Sequence, residues 1–313
     1  MKRTEQPEAE GRQVCLRLLV LLVLLAGLSA CASRPRTASL ALLGDIVLGR
    51  GVLPTAGSLS YLEPELSAAD LALANLESPL APLPPLSNST YNLCAPSARA
   101  SLLADWRLDL LSLANNHQLD CGSDGPSLTR SALIAAGLTP LGPGIEPVYR
   151  DVHGLRLAFL ALDDVSSPLD ASTATQAVRA ARQTGAVVII AIHWGEEYQG
   201  GASERQTALA QELAAAGAAL IWGAHPHVLQ PAAWIQTGKG KTLVLYSLGN
   251  ALFDQEGLAD TRRSALVSVT VSNQGVQSVH IVPFLIDPAH SRVAEPDPLS
   301  AQKIQERINL PEK

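Results

Sequence analysis

Four of the seven histidines in this sequence directly follow apolar runs of strand length, and two carboxylates occupy equivalent places. The histidines are His117, His193, His225 and His227, and the carboxylates are Asp45 and Glu77. Imidazole nitrogens and carboxylate oxygens are the side-chain ligands with which proteins bind Mn, Zn or Fe. One histidine at a strand end is usually an ordinary loop residue, but four of them with two carboxylates favour a metal site.

The spacing of His225 and His227 adds to this hypothesis. In extended backbone, residues two apart direct their side chains to the same side. Pro226 lies between them, removes a backbone donor and stiffens the segment. We therefore predict that both rings face one site, to which Asn115 or Asn116 can add an amide oxygen.

The apolar runs before these residues predict buried strands, and amphipathic stretches between the runs predict helices. The predicted strands cover residues 39–43, 70–74, 108–113, 186–192, 218–222 and 241–246, and the predicted helices cover 97–105, 124–136, 172–184 and 203–216. Strands that alternate with helices are typical of an α/β protein, in which ligands gather at the carboxyl ends of the strands. The polar motifs at these ends should therefore converge on one place.

Local signals refine the predicted elements. Ser203 and Gln206 read as a capping box at a helix start, and Gly217 stands where a left-handed residue ends a helix. Two alternating runs, 265–271 and 276–281, predict a β-hairpin. We predict one domain over residues 39–286, followed by a peripheral C-terminal tail over 287–313.

Charge and composition exclude some classes of partner. The 23 basic and 29 acidic side chains give a net charge of −6, so binding of nucleic acid through a basic face is not expected. For the same reason, contact with an anionic surface polymer should be local, through metal and Arg50. Arg50 follows Asp45 by five residues, where its guanidinium can hold a phosphate or carboxylate; an ordinary surface salt bridge is the equally weighted alternative.

The first thirty residues are typical of an export signal. An apolar run over 18–28 is too short to span a bilayer comfortably, and Leu28-Ser-Ala-Cys31 resembles a bacterial lipobox. We predict a lipoprotein signal peptide over residues 1–30, lipidation of Cys31, a tether over 31–38, and an exported protein anchored to a bacterial membrane. An uncleaved N-terminal membrane anchor, or an ordinary signal peptide with an incidental cysteine, are the alternatives.

Export would leave Cys94 and Cys121 in an oxidising compartment. The sequence leaves two possibilities open for this pair, a disulfide or two free buried thiols, because the separation of the Cα atoms decides between them.

The ordered set of motifs resembles a known family. The motifs are Gly44-Asp-Ile-Val-Leu-Gly-Arg50, Asn75-Leu-Glu77, Ala114-Asn-Asn-His117, His193-Trp-Gly-Glu-Glu-Tyr198, Gly223-Ala-His-Pro-His227 and Ser247-Leu-Gly-Asn250. Together they resemble the CapA-type poly-γ-glutamate synthesis (capsule biosynthesis) family, whose domain is similar to calcineurin-like metallophosphoesterases. The resemblance implies a four-layer α/β/β/α sandwich with two central mixed sheets.

The resemblance also implies a role for each residue. Asp45 and His227 would bind a first divalent metal ion, Asn116, His193 and His225 would bind a second, and Glu77 would bridge the two. His117 would be an uncoordinated catalytic histidine beside the substrate. Val47 stands where the superfamily pattern has a ligand histidine, so one ion or two (Mn, Zn or Fe) are both compatible with the sequence.

The sequence is compatible with two functions. The residues favour a metal-dependent hydrolase of phosphoester or amide bonds in a surface polymer or its precursor. The family resemblance also fits a non-catalytic accessory protein that acts with the capsule synthesis machinery. Both functions place the chain at a membrane, through the predicted lipid anchor.

Overall fold

The strand β1 (Thr37–Ile46) is buried on both faces and lies inside a layered structure. In the computed structural model, which describes residues 36–84 and 91–312, its side chains alternate between two hydrophobic clusters. Leu40 and Leu42 belong to the cluster between the two main sheets, whereas Ala41 and Leu43 belong to an outer cluster. A strand covered on both faces requires the near-continuous apolar run that the sequence shows here.

The first sheet contains eight strands in the order β16-β15-β14-β1-β2-β5-β6, with β13 paired to β1 beyond the end of β14. Besides β1, its strands are β2 (Leu71–Leu76), β5 (Leu110–Ser112), β6 (Thr139–Leu141), β13 (Asn250–Leu252), β14 (Arg263–Ser272), β15 (Gly275–Asp287) and β16 (Arg292–Ala294). β1, β2, β5 and β6 run parallel, whereas β14 and β15 form the predicted antiparallel hairpin.

The second sheet contains six strands in the order β11-β12-β10-β9-β8-β7. The strands are β7 (Gly144–Val152), β8 (Leu155–Asp163), β9 (Val187–His193), β10 (Ala218–Ala224), β11 (Leu229–Thr237) and β12 (Gly240–Leu248). The four inner strands are parallel and both edge strands are antiparallel, so this sheet is also mixed. Two short strands, β3 (Leu80–Ala81) and β4 (Ala95–Pro96), pair separately.

Five of the six helices in the described part of the chain cover the outer faces of the two sheets. The helices are α1 (Glu63–Ala68), α2 (Ala100–Asp105), α3 (Gly125–Ala135), α4 (Ala171–Gln183), α5 (Glu204–Ala216) and α6 (Pro298–Ile308). Buried side chains of α1, α2 and α3 pack on the first sheet, and those of α4 and α5 pack on the second. The predicted α/β fold, a four-layer sandwich with two central mixed sheets, is confirmed. Among the described residues, no helix is both long and apolar enough to cross a membrane.

The local signals in the sequence correctly predict both ends of α5. Ser203 accepts a hydrogen bond from the backbone N–H of Gln206, and the Gln206 side chain caps Ser203 in return, which completes the predicted capping box of α5. Gly217 ends the same helix with a φ of 116°, a conformation that a residue with a Cβ adopts only with strain.

Two contacts join the sheets next to their carboxyl ends. The indole N–H of Trp222 in β10 donates to the backbone oxygen of Leu43 in β1 at 3.0 Å. The chain also passes from β12 to β13 through Gly249, whose oxygen accepts from the Asp45 N–H at 2.9 Å. At Gly44 an added Cβ would lie 1.8 Å from that same oxygen, so only glycine allows the approach.

The C-terminal segment differs from its prediction as a peripheral tail. Residues 288–312 include β16, which extends the first sheet, and α6, which contacts β11, β14 and β15. Ile304 and Ile308 of α6 are fully buried in the cluster between the sheets. The sequence misleads here because prolines interrupt the segment, yet Asp297 caps α6 and Pro298 occupies its first turn, where proline is well tolerated.

Cys94 and Cys121 form a disulfide, with their Cα atoms 5.1 Å apart. This resolves the alternative that the sequence left open. The bond closes a loop with a sequence separation of 27 that contains β5 and His117.

We expect the double substitution Cys94→Ala, Cys121→Ala to lower the free energy of unfolding by about 3 kcal/mol. Without the bond, the unfolded chain has more conformational entropy, and for a loop of this length that entropy stabilises the unfolded state by about this amount. Urea denaturation under oxidising conditions measures the difference. Reductant should destabilise the unsubstituted protein by a similar amount and leave the double variant unchanged. Equal stability of the two proteins would show that the bond contributes nothing to the fold.

Candidate metal centre

The carboxyl ends of strands from both sheets meet at one place. In the first sheet, Asp45 of β1 is in register with Asn75 of β2 and with Asn250 of β13. In the second sheet, His193 at the end of β9 is in register with Ala224 at the end of β10. Parallel strands end at the same edge of a sheet, and this edge therefore gathers the polar residues that follow them.

Asp45 is fully buried and has partners from both sheets. Its Oδ1 accepts a hydrogen bond from Asn75 Nδ2 at 2.7 Å, and its Oδ2 accepts from the His225 backbone N–H at 3.2 Å. His227 Nδ1 lies 3.2 Å from the same Oδ2 and 3.0 Å from Asn250 Oδ1. These contacts fix the Asp45 carboxylate and the His227 ring relative to each other.

Glu77 differs from Asp45 because its carboxylate is buried without a hydrogen-bond partner for either oxygen. Instead, its Oε1 lies 3.8 Å from the Nε2 atoms of three histidines, His117, His193 and His227. That distance is too long for a hydrogen bond. It falls within the separation of two ligand atoms that share a metal ion, which is about 3–4 Å when each bond to the ion is about 2.1 Å, and such a pairing is open to Glu77 with His193 and to Glu77 with His227.

A second group of candidate ligand atoms near Glu77 belongs to Asn116, His193 and His225. His193 Nε2 is 2.9 Å from Asn116 Oδ1, and the His193 and His225 ring centroids are 4.7 Å apart. His225 Nδ1 is buried and has no hydrogen-bond partner. Buried polar atoms are nearly always paired, so the unpaired atoms of Glu77 and His225 indicate a missing partner of positive charge.

The backbone at the two neighbouring histidines is not the predicted extended segment. His225 has a φ of 95° and His227 a φ of 58°, both in the left-handed region. Residues with a Cβ rarely adopt it, and the cost is of the order of 1–2 kcal/mol each. The rings still converge, with centroids 5.8 Å apart, because the chain turns sharply between β10 and β11.

Proximity and burial shift the pKa values of these groups in opposite directions. Burial raises the pKa of the Glu77 carboxyl to about 8, although His227 opposes the shift. Burial lowers the pKa of His227, but the carboxylates of Glu77 and Asp45 outweigh that effect and raise the pKa to about 9. Burial and the nearby His227 lower the pKa of His225 to about 4, and burial holds the pKa of His193 well below its usual range. His193 and His225 are therefore neutral at pH 7, as metal ligands must be, whereas His227 has to release a proton when it binds a metal ion.

His117 lies at the edge of the cluster, and a carboxylate holds one of its ring nitrogens. Its Nδ1 is 2.8 Å from Asp120 Oδ2, and its Nε2 points toward Glu77. Burial lowers the pKa of His117, but the hydrogen bond to Asp120 and the Glu77 charge raise it above its ordinary value overall. Asp120 Oδ2 also accepts from the Leu93 N–H at 2.7 Å, one residue from the Cys94–Cys121 disulfide. The side chain of His117 is 17% exposed, so it borders both the cluster and solvent.

Arg50 lies next to this cluster but is bound to another side chain. Its guanidinium forms an ion pair with Asp254 and lies 5.1 Å from the ring centroid of Phe253. Phe253 in turn packs edge-on against His227, with ring centroids 4.9 Å apart. The salt bridge that the sequence left as an alternative is therefore present, and binding of a substrate anion by Arg50 stays a prediction.

Position 47 supplies no ligand, because valine has no ligand atom, and Val47 is instead buried in the outer cluster of the first sheet. Four polar residues without an assigned role in the sequence analysis support the cluster instead: Asn75, Asp120, Asn250 and Tyr198. Asn75 and Asn250 stand within motifs that the sequence analysis identified. The three-residue spacing of His117 and Asp120 was the available signal for their contact, since a turn brings such residues together.

The described residues contain three groups whose ligand atoms lie within 4.8 Å of one another. One group is Asp45, Glu77 and His227, another is Glu77, His193 and His225, and the third is Glu197, His225 and His227. These groups contain five of the six predicted ligands, with Glu77 shared between the first two groups, and the sixth, Asn116, lies next to His193. The orphaned oxygens of Glu77 and the nitrogen- and oxygen-containing donor set fit a divalent transition metal.

Comparison with known proteins gives a consistent result. Residues 39–255 match the family described as "Bacterial capsule synthesis protein PGA_cap". The "PGA biosynthesis protein CapA" of Bacillus subtilis (strain 168) is 30% identical over 294 residues, covering 85% of this chain and 76% of the relative. The "Capsule biosynthesis protein CapA" of Bacillus anthracis is 30% identical over 282 residues, covering 79% of this chain and 67% of the relative.

More distant similarity extends to Mycobacterium tuberculosis and Thermus thermophilus. A "Probable polyglutamine synthesis accessory protein" of M. tuberculosis is 24% identical over 297 residues, covering 72% of this chain and 77% of the relative. A solved structure of a hypothetical protein from T. thermophilus superimposes with a TM-score of 0.54 at 17% identity, covering 79% of this chain and 99% of that one, which supports the fold. The family match covers most of the chain, and the chain therefore belongs to the CapA-type capsule and poly-γ-glutamate biosynthesis family, PGA_cap, within the metallophosphoesterase-like superfamily.

Proposed function

We propose that this protein is a metal-dependent hydrolase that cleaves a phosphoester or amide bond in a surface polymer or its precursor. The observation that carries the proposal is the Glu77 carboxylate, buried without a hydrogen-bond donor and facing three imidazole nitrogens at 3.8 Å. An isolated buried carboxylate is costly, and a bound cation is the simplest compensation.

The residues divide into two sets of ligands around Glu77. Asp45 and His227 would hold one ion with Glu77, and Asn116, His193 and His225 would hold another with it. Divalent Mn, Zn or Fe each suit these donors, and either one ion or two can be accommodated. Such an ion would activate water and stabilise a developing oxyanion.

The chain's own contribution to the chemistry lies in His117. Its Nε2 faces the ligand cluster, while Asp120 holds Nδ1 and keeps a proton available on the ring. A histidine in this position is suited to protonate a leaving oxygen or nitrogen as the bond to it breaks. Partial exposure of His117 leaves room for a substrate to approach from solvent.

A non-catalytic role in polymer synthesis is the second candidate. One observation favours it: Val47 contributes no ligand, which weakens one of the two ligand sets. The mycobacterial relative is also described as an accessory protein. Under this alternative, the cluster would bind metal for structure, and His117 would be dispensable.

We further propose that the protein is exported and anchored to the membrane by a lipid at Cys31, which lies outside the described residues. The apolar run before Cys31 supports this proposal. The Cys94–Cys121 disulfide also fits an oxidising compartment. At the membrane, the site would meet a surface polymer or the machinery that makes it.

We expect protein purified without chelator to contain a divalent metal, and His225→Ala to weaken metal binding by more than about 100-fold, because loss of a ligand is more damaging than loss of an outer contact. Elemental analysis and calorimetric titration measure both quantities. His280→Ala, at an exposed histidine outside the cluster, is the matched control and should bind metal normally. Absence of metal from the unsubstituted protein would contradict the proposal.

We expect His117→Ala to retain metal and its melting temperature, while hydrolysis falls by about 10²- to 10⁴-fold, the usual contribution of a general acid. The assay is a panel of phosphoester and γ-glutamyl substrates with the metal-loaded protein, alongside polymer production in cells. Loss of metal together with activity would show that His117 is a ligand. Undiminished polymer production would favour the accessory role.

We expect Cys31→Ser to release the protein from the membrane or to leave it as an unprocessed precursor, because no thiol remains to accept the lipid. Membrane fractionation with and without globomycin gives the answer. Unchanged membrane attachment of Cys31→Ser would favour an uncleaved N-terminal anchor instead.

A further inference from the structure

The loop after β9 is bent over the two neighbouring histidines. Gly195 has a φ of 86° and Tyr198 a φ of 64°, so the backbone reverses within a few residues. The loop is fixed at both ends: the Trp194 indole N–H donates to Tyr246 O at 2.8 Å, and the Tyr198 N–H donates to Pro226 O at 2.8 Å. The second contact ties the loop to the residue between His225 and His227.

This bend brings Glu197 to the metal cluster. A carboxylate oxygen of Glu197 lies within 4.8 Å of a ring nitrogen of both His225 and His227. Those rings are buried, whereas Glu197 is exposed and reaches them from the solvent side.

Among the described residues, the group of candidate ligands that contains Glu197 has no other carboxylate. Asp45 and Glu77 are both fully buried, at the ends of β1 and β2 in the first sheet. Val47 has no ligand atom, so the residues around Asp45 offer no further donor at that position. Meanwhile His225 Nδ1 is buried without a hydrogen-bond partner.

We propose that Glu197 is an additional carboxylate ligand on the solvent side of the metal cluster, where it lies near His225 of one ligand set and His227 of the other. The inference rests on the proposed function, since it requires that the cluster bind a metal. A carboxylate oxygen is a suitable ligand for Mn, Zn or Fe. An exposed ligand on the solvent side of the cluster can also move aside for substrate, whereas the buried ligands are held in place by the strands.

The neighbouring Glu196 provides a matched control. Both glutamates are exposed and lie in the same loop, but Glu196 belongs to none of the groups of candidate ligands among the described residues. Replacing either one removes the same charge from nearly the same place. A difference between the two substitutions therefore reports on coordination rather than on net charge.

The test is titration of the metal-free full-length protein with Mn²⁺ or Zn²⁺, comparing Glu197→Ala with Glu196→Ala. We expect Glu197→Ala to lower the affinity at least about 10-fold or to remove one equivalent of bound metal, and Glu196→Ala to bind like the unsubstituted protein. Melting temperatures in the absence of metal should agree among all three, since both side chains are exposed.

Two other outcomes are distinguishable. Equal metal affinity in the two variants, with the unsubstituted protein binding normally, would overturn the role of Glu197 and leave the proposed function intact. Failure of the unsubstituted protein to bind either ion would overturn the proposed function, and the role of Glu197 with it.

Discussion

The burial of the Glu77 carboxylate is the constraint on which the site depends. Water is excluded from it and no donor replaces that water, so its charged form is costly, its pKa is raised to about 8, and ionisation at pH 7 requires nearby positive charge. Other polar groups around it are paired: Asn75 donates to Asp45, and Asn115 donates to the backbone oxygen of Leu76, one residue before Glu77. The hydrogen bonds thus hold the backbone and the neighbouring ligands in place and leave the Glu77 oxygens alone for a cation.

Much of this arrangement follows from the sequence, because its physical causes are local. Continuous apolar runs such as 186–192 are required wherever a strand is covered on both faces, and the residue after such a run must lie at the sheet edge. The capping box of Ser203 and Gln206 is equally local and correctly places the start of α5. Convergence of His193 with Asp45 then follows from topology, since parallel strands share an edge.

The features that the sequence did not reveal arise from tertiary contacts. The left-handed backbone at His225 and His227 is imposed by the turn between two strands, against the preference of each residue. Pairing of Arg50 with Asp254 joins residues 204 positions apart, and no local pattern indicates it. The burial of α6 likewise depends on apolar surface that the two sheets leave open between them, which the composition of the C-terminal segment does not express.

Because the two sheets are joined beside the site, substitutions in the core between them also affect the site. Asp45, Glu77 and Asn116 follow strands of one sheet, while His193, His225 and His227 follow strands of the other. Their mutual distances are therefore set by the thickness of the apolar layer between the sheets, to which Trp222 and Leu42 contribute. Protein interiors are packed as densely as organic crystals. A methylene gained or lost in that layer therefore shifts the ligands of the first sheet relative to those of the second. Evolution of this core is thus subject to two demands at once: side chains there must fill space, and they must also keep the two sheets in alignment to within the tolerance of a coordination bond.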